Sequence, residues 1–212
     1  MIKIFSHRGF IQNNIKQNTI ASLKNAVKNN FKAIEIDIWY LNSELYLNHD
    51  KPNLNNLKNL TKFRDIFVYK NKLNYWLDFK NLNESNVIEA INLVKKDLLE
   101  NKIELKNIFF APYITDYDLA EKISHQIHKI FNEKVNILAV CDESSQIKNV
   151  IDLLDLEVFD YVSMNYNLID DNLLKNLSPK KIFAWTVNDE KIFHELILKG
   201  VEQIATDKIL PI

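Results

Sequence analysis

Short apolar segments rich in β-branched and aromatic residues alternate with segments of helical periodicity along nearly the whole chain. This order is typical of repeated βα units around a parallel sheet. Eight segments have the length and composition of strands: Lys3–Ser6, Ala33–Trp39, Asn74–Phe79, Asn107–Ala111, Asn136–Val140, Asp160–Met164, Lys181–Thr186 and Gln203–Ala205. The pattern therefore predicts an α/β protein, a single compact (β/α)₈ TIM barrel over residues 1–212.

Three helices are predicted from apolar residues spaced three or four positions apart. The stripes are Ile20, Leu23, Val27 and Phe31, then Val87, Ile91, Val94 and Leu98, and then Leu119, Ile123, Ile127 and Ile130. A TIM barrel normally needs more than 212 residues, so the connections must be short. A doubly wound open sheet is the alternative, but the chain has no Gly-x-Gly-x-x-Gly turn for it.

The segment from Lys51 to Lys72 departs from this alternation. It contains Pro52 and many asparagines, and only residues 63 to 68 hint at a helix. Because it directly follows the second strand, we predict a shortened insertion that covers one end of the barrel as a loop or lid.

Composition and charge narrow the functional classes. The hydrophobic fraction of 47% is that of a globular protein, and 27 basic against 28 acidic residues leave a net charge of −1. This balance argues against a nucleic-acid partner, which requires a clustered basic excess. The single cysteine, Cys141, excludes an internal disulfide and a cysteine-based zinc site. Without a bilayer-length apolar run or a signal-peptide core, we expect a cytoplasmic protein with no integral membrane segment.

Arginine and glycine are rare, with only Arg8, Arg64, Gly9 and Gly200 in the chain. Lysine, asparagine and isoleucine are abundant instead, as in proteins of AT-rich genomes. The few arginines and glycines that remain are expected where chemistry or conformation requires them. The sequence His7-Arg8-Gly9 at the end of the first strand is therefore the first candidate site.

Acidic side chains lie at the ends of the next two strands, where a parallel barrel places its catalytic groups. Glu35 and Asp37 are two residues apart, so both face the interior, while Ile34, Ile36 and Ile38 face the surrounding helices. The plainer alternative is a pair of solvated charges on an edge strand.

Asp78 and Lys80 repeat the two-residue spacing on the third strand, where they could also pair only with each other. Buried carboxylates are costly unless a cation or hydrogen bonds compensate their charge. A divalent metal held by Glu35, Asp37 and Asp78 provides that compensation. Ligands that are all oxygen atoms favour Mg²⁺ or Ca²⁺ over zinc.

A second histidine, His49, follows the second strand and is expected at the same rim. Two histidines, an arginine, a lysine and three carboxylates around a metal suit a phosphodiester. The metal and Arg8 would neutralise its oxygens, Lys80 would add a positive charge, and His7 and His49 would transfer the two protons.

The pattern resembles that of the glycerophosphodiester phosphodiesterases. The motifs that carry the resemblance are His7-Arg8-Gly9, Gln17-Asn18-Thr19, Glu35-Ile36-Asp37, His49-Asp50, Asp78-Phe79-Lys80, Trp185-Thr186-Val187-Asn188 and Gly200-Val201 with Thr206-Asp207. The resemblance implies His7 and His49 as the catalytic pair, and it places Trp185 beside the alcohol portion. It also implies a small-molecule glycerophosphodiester substrate, hydrolysed to glycerol phosphate and an alcohol. The resemblance further implies a reaction that passes through attack by the neighbouring glycerol hydroxyl.

Two departures from the family pattern keep other functions open. Asp78 stands where the family usually has glutamate, and this Asp-x-Lys form is similar to sphingomyelinase D relatives, which release a cyclic phosphate. Gln17 replaces a usual glutamate, which keeps open a barrel that binds a phosphorylated ligand without turnover. The identity of the alcohol and the oligomeric state stay undetermined.

Other candidate residues have plainer interpretations. His125 and His128 have a metal-binding spacing, but they lie away from the apolar stripe of their helix, which favours a solvated face. Cys141 has no histidine motif nearby and is predicted to be a small buried residue. Asp207 either caps the final turn or reaches the site.

Overall fold

The computed structural model describes residues 2–12 and 14–211 of the chain. Eight parallel strands form a closed barrel: β1 (Lys3–Ser6), β2 (Ala33–Leu41), β4 (Asn74–Phe79), β5 (Ile108–Pro112), β6 (Asn136–Cys141), β7 (Tyr161–Asn165), β8 (Ile182–Trp185) and β9 (Gln203–Thr206). The barrel closes because β1 pairs with β2 on one side and with β9 on the other. The predicted (β/α)₈ barrel is confirmed, and each predicted strand overlaps an observed one.

The outer layer contains the helices α1 (Ile20–Lys28), α2 (Val87–Asn101), α3 (Tyr117–Phe131), α4 (Ile147–Asp155) and α5 (Glu190–Leu198). The three predicted apolar stripes lie on α1, α2 and α3, although Phe31 follows the end of α1. Between β7 and β8 the described chain forms only short 3₁₀ turns, consistent with the short connections expected from chain length. No helix in the described ranges is long and apolar enough to cross a membrane.

Aromatic side chains fill the lower barrel interior. Phe5, Trp76, Phe109, Tyr161 and Phe183 form one cluster, in which the Phe5 and Trp76 rings meet edge to face at 5.6 Å. Such contacts stabilise the packed interior of the barrel. The candidate site described below lies above this layer, at the carboxyl end of the strands.

The outer core lies between the strands and the helices. Ile34, Ile36 and Ile38 of β2 are fully buried there, as the alternation predicted. Their neighbours Glu35 and Asp37 consequently face the barrel interior.

A β-hairpin that the sequence analysis did not identify extends β2 beyond the barrel rim. The chain reverses at Asn42 and Ser43, which both have positive φ, and returns as the antiparallel strand β3 (Glu44–Leu47). Two consecutive left-handed residues suit a tight hairpin turn. The hairpin carries the chain back to the level of Asp37.

The predicted lid is wrong for the second half of the segment 51–72. This half forms a 3₁₀ helix, Phe63–Lys72, that packs against α1, α2 and β3 in the outer layer. Phe63, Ile66 and Phe67 are almost completely buried. Their spacing of three and four residues gives one apolar face, and burying it against the neighbouring helices is more favourable than exposing it over the barrel mouth.

Candidate active site

The turn after β1 binds directly to the acidic residues of β2. Arg8 and Gly9 both have positive φ, and a Cβ atom at Gly9 would lie 2.3 Å from Ser22 Oγ, so only glycine fits there. The turn directs the Arg8 backbone N–H to Glu35 Oε2 at 2.8 Å. The turn therefore requires Gly9 for its conformation, and it brings the positive charge of Arg8 to the acidic residues.

The predicted carboxylates converge. Glu35 and Asp37 are only 3% and 1% exposed, and one oxygen of each lies within 4.8 Å of the others and of an oxygen of Asp78. Lys80 Nζ lies 2.8 Å from Asp37 Oδ1 and 2.7 Å from Asp78 Oδ2. Arg8 Nε lies 3.2 Å from Asp37 Oδ2. We call these five residues the charged cluster.

Burial and mutual repulsion disfavour three carboxylates in so small a space. Burial and the charges of Asp37 and Asp78 raise the pKa of Glu35 well above its ordinary value. Burial, with Asp37, raises the pKa of Asp78 to about 6, although Lys80 opposes the shift. Burial disfavours the Lys80 ammonium, yet Asp78 and Asp37 hold the pKa of Lys80 above its usual range.

The charged cluster fits a divalent cation with oxygen ligands. Among the described residues, Asp78 Oδ1 is buried without a hydrogen-bond donor, and the three carboxylates of Glu35, Asp37 and Asp78 outnumber the two cations that pair with them. A cation bound by these three residues would occupy the unsatisfied oxygen and reduce their repulsion.

Asn18, which the sequence analysis named only within the Gln17-Asn18-Thr19 motif and without a role, positions Asp37. Its Nδ2 donates to Asp37 Oδ2 at 2.7 Å, and the Asp37 N–H donates to Asn18 Oδ1 at 3.1 Å. Asn18 has a positive φ of 55°, which asparagine tolerates better than most residues. The adjacent Gln17 accepts a hydrogen bond from Arg8 Nη1 at 3.2 Å.

His7 is oriented by Asp207, which answers the question left open for that residue. His7 Nδ1 lies 2.8 Å from Asp207 Oδ1, and Asn188 Nδ2 donates to Asp207 Oδ2 at 2.9 Å. Burial alone would raise the pKa of Asp207, but the bonds from His7 and Asn188 lower it below its usual range. Because an ionised carboxylate only accepts, Nδ1 carries the proton and Nε2 is the basic nitrogen. His7 Nε2 lies 3.9 Å from Glu35 Oε2 and 3.5 Å from Thr186 Oγ1.

The β-hairpin places His49 near Asp37. After β3, the Asn48 N–H donates to the Asp37 carbonyl oxygen at 3.2 Å, and Trp39 Nε1 donates to the His49 carbonyl oxygen at 3.2 Å. His49 Nδ1 lies 2.8 Å from Asp50 Oδ1. The hairpin missed in the sequence is therefore the element that brings the second histidine to the rim.

These residues surround one pocket of about 350 Å³. Its lining consists of His7, Arg8, Glu35, His49, Trp76, Asp78, Lys80, Tyr113, Ser163, Trp185 and Thr186. Seven of the eight predicted site residues are in this set, and the eighth, Asp37, lies in the charged cluster. Trp76, Tyr113 and Ser163 were not predicted as site residues, and Thr186 was named only as part of the motif around Trp185.

The remaining candidates lie outside this pocket. The His125 side chain is 66% exposed and pairs with Glu121 of the same helix, and neither His125 nor His128 belongs to the acidic metal group found in the described chain. Cys141 is buried, and burial with the nearby Asp142 charge raises its pKa to about 12. It is therefore a structural residue, as predicted.

Comparison with known proteins agrees with this architecture. Neither a protein-family model nor a curated protein sequence matches the chain. A glycerophosphodiester phosphodiesterase from Thermotoga maritima superposes with a TM-score of 0.74 at 18% identity, over 98% of this chain and 95% of that one. One from Parabacteroides distasonis gives 0.72 at 19% identity, over 97% and 92%. The chain has the fold of the glycerophosphodiester phosphodiesterases. 

A third structure shares this glycerophosphodiester phosphodiesterase fold. It is a phosphodiesterase from Oleispira antarctica in complex with the product sn-glycerol-3-phosphate, with a TM-score of 0.74 at 17% identity, over 97% of this chain and 92% of that one. The likeness of fold covers the complete barrel, including residues 81 to 180, where the sequence offered no motif.

Proposed function

We propose that this protein is a phosphoric diester hydrolase that converts a glycerophosphodiester to glycerol phosphate and an alcohol. The observation that carries the proposal is the single pocket in which two histidines face a charged cluster of three carboxylates and two cations. The Oleispira antarctica phosphodiesterase with its bound product supports a substrate of this size and chemistry.

In this proposal His7 is the general base. Its Nδ1 is held by Asp207, so Nε2 is free to take the proton of the glycerol hydroxyl that attacks the phosphorus. Thr186 and Glu35 flank this nitrogen and limit the directions from which the hydroxyl can approach.

His49 is then the general acid. It lines the same pocket, and as an imidazolium it can protonate the oxygen of the departing alcohol. Attack by the hydroxyl gives a cyclic phosphate, which water opens with the two histidines in reversed roles. Release of the cyclic product before this second step would make the protein a lyase of the sphingomyelinase D kind.

Arg8 and Lys80 bind the phosphate oxygens in this proposal, and Trp185 contacts the alcohol portion. The divalent cation, Mg²⁺ or Ca²⁺, would be held by Glu35, Asp37 and Asp78 and would neutralise phosphate charge. Gln17 supports Arg8 without adding another negative charge near the phosphate.

The test is turnover by the purified protein of glycerophosphocholine, glycerophosphoethanolamine and glycerophosphoglycerol, each with Mg²⁺, Ca²⁺ or chelator. We expect chelator-sensitive release of the alcohol, and phosphorus NMR should show a phosphomonoester. A persistent cyclic phosphate would indicate the lyase instead. Ligand binding without turnover of any substrate, unchanged in Glu35→Ala, would contradict the enzyme proposal.

A further inference from the structure

The β-hairpin that carries His49 projects beyond the part of the sheet where β2 and β4 pair. The register of these two strands ends at Ile38 opposite Phe79, and the Lys80 N–H then donates to the Ile38 carbonyl oxygen at 2.9 Å. β2 continues to Leu41, whereas the chain after Lys80 leaves the sheet toward α2. The backbone groups in the last part of β2 therefore need partners other than the backbone of β4.

The side chain of Asn81 provides such a partner. The Tyr40 N–H donates to Asn81 Oδ1 at 2.9 Å, and Asn81 Nδ2 donates to the Tyr40 carbonyl oxygen at 2.8 Å. A side-chain amide offers the same acceptor and donor as a peptide group. Asn81 thus continues the pairing of β4 with β2 while its own backbone turns away from the sheet.

Asn81 is itself held at the start of α2. Asn86 Nδ2 donates to the Asn81 carbonyl oxygen at 2.8 Å, and residue 86 immediately precedes α2. The Tyr40 hydroxyl contacts the same helix, where it donates to Glu89 Oε2 at 2.5 Å. The base of the hairpin is consequently bound both to the end of β4 and to α2.

Trp39 connects the base of the hairpin to His49. Its neighbour in the chain, Tyr40, is the residue that Asn81 binds. The Trp39 Nε1–H donates to the His49 carbonyl oxygen at 3.2 Å. The two bonds of Asn81 thus help to orient the indole, and the indole binds the backbone of His49.

We infer that Asn81 is a positioning residue for the proposed general acid, and that it sets where His49 lies relative to a phosphate bound by Lys80. The inference rests on the proposed function and adds to it a residue that does not line the pocket. Lys80 and Asn81 are adjacent, so one short segment would position both the phosphate-binding ammonium and the hairpin. A displacement of about 1 Å at a catalytic group can lower the rate by about a hundredfold.

The test compares a poor and a good leaving group in single turnovers that measure release of the alcohol. The alcohol of a glycerophosphodiester needs a proton from His49, whereas p-nitrophenol leaves readily as its anion. Asn81→Ala should slow alcohol release from the best glycerophosphodiester of the panel above by about tenfold or more. Release of p-nitrophenol from the p-nitrophenyl ester of glycerol phosphate should change little. A loss of folded protein alone would lower both rates by the same factor.

A double variant tests whether Asn81 acts through His49. In the His49→Ala background the proton donor is already absent, so addition of Asn81→Ala should cause no further loss with the glycerophosphodiester. Two residues that act independently would instead give losses that multiply.

Asn74→Ala is the matched control. Asn74 begins β4, and its Nδ2 donates to the Lys32 carbonyl oxygen at 3.2 Å, so it joins β4 to the residue before β2 at the opposite end of the barrel. This variant should keep both rates of release. Leu45 and Leu47 of the hairpin are buried in the outer core, so Asn81→Ala should also fold, which circular dichroism checks.

Hydrogen exchange measures the hairpin without turnover. Backbone amides of residues 40–49 should exchange faster in Asn81→Ala than in the parent protein, with no change in Asn74→Ala. Unchanged exchange in Asn81→Ala would overturn the inference. An equal loss with both leaving groups, or a further loss in the His49→Ala background, would overturn it as well.

Failure of the proposed function gives a different result. If the parent protein releases no alcohol from any diester, the proposed function is rejected together with the catalytic role of Asn81. Alcohol release by the parent protein that is unaffected in Asn81→Ala would reject Asn81 alone.

Discussion

The charged cluster and the opposite side of the pocket differ in how their polar groups are satisfied. Asp37 receives contacts from Arg8, Asn18 and Lys80, so its position is fixed by the protein alone. Ser163, on β7 and four strands away from β2, forms no side-chain hydrogen bond within the described chain. The protein therefore orients its polar groups most closely on the side of the pocket where we propose that the chemistry takes place.

The largest effect is expected at the catalytic histidine beside the charged cluster. His7→Ala removes the proposed general base and should lower kcat by about a thousandfold, within the usual contribution of acid-base catalysis. His125→Ala, on the exposed face of α3, is the control and should retain full activity. Steady-state assays of both variants check this, and similar activity of the two would exclude His7 as the base.

A smaller loss of activity is expected when Asp207, which orients His7, is changed. Asp207→Asn keeps the shape but no longer holds the Nδ1 proton, so the imidazole can adopt the wrong tautomer. We expect kcat to fall by about a hundredfold while KM changes little. Because loss of the Asp207 charge disfavours the imidazolium form of the base, the acidic limb in the pH profile of kcat/KM should move to lower pH. An unchanged profile would make Asp207 structural only.

Repulsion between the carboxylates of the charged cluster predicts that Glu35→Gln is more stable than the parent protein in chelator and less stable than it in Mg²⁺. Because burial and the neighbouring acids disfavour the Glu35 carboxylate, Glu35→Gln should stabilise the protein in chelator by about 1–2 kcal/mol. With Mg²⁺ at about a hundred times its Kd, the parent protein should gain about 2.7 kcal/mol and the variant little.

Thermal unfolding of both proteins in each buffer measures this effect. Glu100→Gln, at an exposed position on α2, is the matched control and should respond to Mg²⁺ as the parent does. An equal Mg²⁺ response of Glu35→Gln and the parent would remove Glu35 from the metal site.

The smallest effect is expected at a buried acid outside the pocket, for which the described residues provide no ion pair like those of the charged cluster. Burial, with Glu100 and Glu44, raises the pKa of Asp97 on α2 to about 6. A raised pKa in the folded state means that stability falls as the pH rises from about 4 through 6. Asp97→Asn should therefore be more stable than the parent by about 1 kcal/mol at pH 7 and equal to it at pH 4.

Urea unfolding at the two pH values measures the gain. Asp152→Asn, an exposed change on α4, should show no pH-dependent difference from the parent. If Asp97→Asn were stabilised as much at pH 4 as at pH 7, the stabilisation would not come from the ionisation of Asp97.

The barrel and the acidic residues at its mouth could be predicted from the sequence because each follows from a pattern within a single strand. Strand alternation placed Glu35 and Asp37 inward, and the same spacing placed Asp78 and Lys80. The hairpin strand Glu44–Leu47 was missed because its turn, Asn42-Ser43, lacks the glycine of the usual two-residue hairpin signal.

Other contacts depend on tertiary pairing. Asp207 is 200 residues from His7, and nothing near it in the chain indicates that partner. Asn18 lies in a turn of ordinary composition, and its role follows only from its contact with Asp37. Ser163 lies in a strand of mixed composition, and its missing partner becomes visible only in the closed barrel.

Lys80 has a further consequence for the metal binding that we propose. Its ammonium, bound to both Asp37 and Asp78, is a counter-ion supplied by the chain itself. The barrel could therefore fold before an ion binds. Binding of the proposed ion would then be an exchange, in which Lys80 would release carboxylate oxygens to the ion and become available to the substrate phosphate.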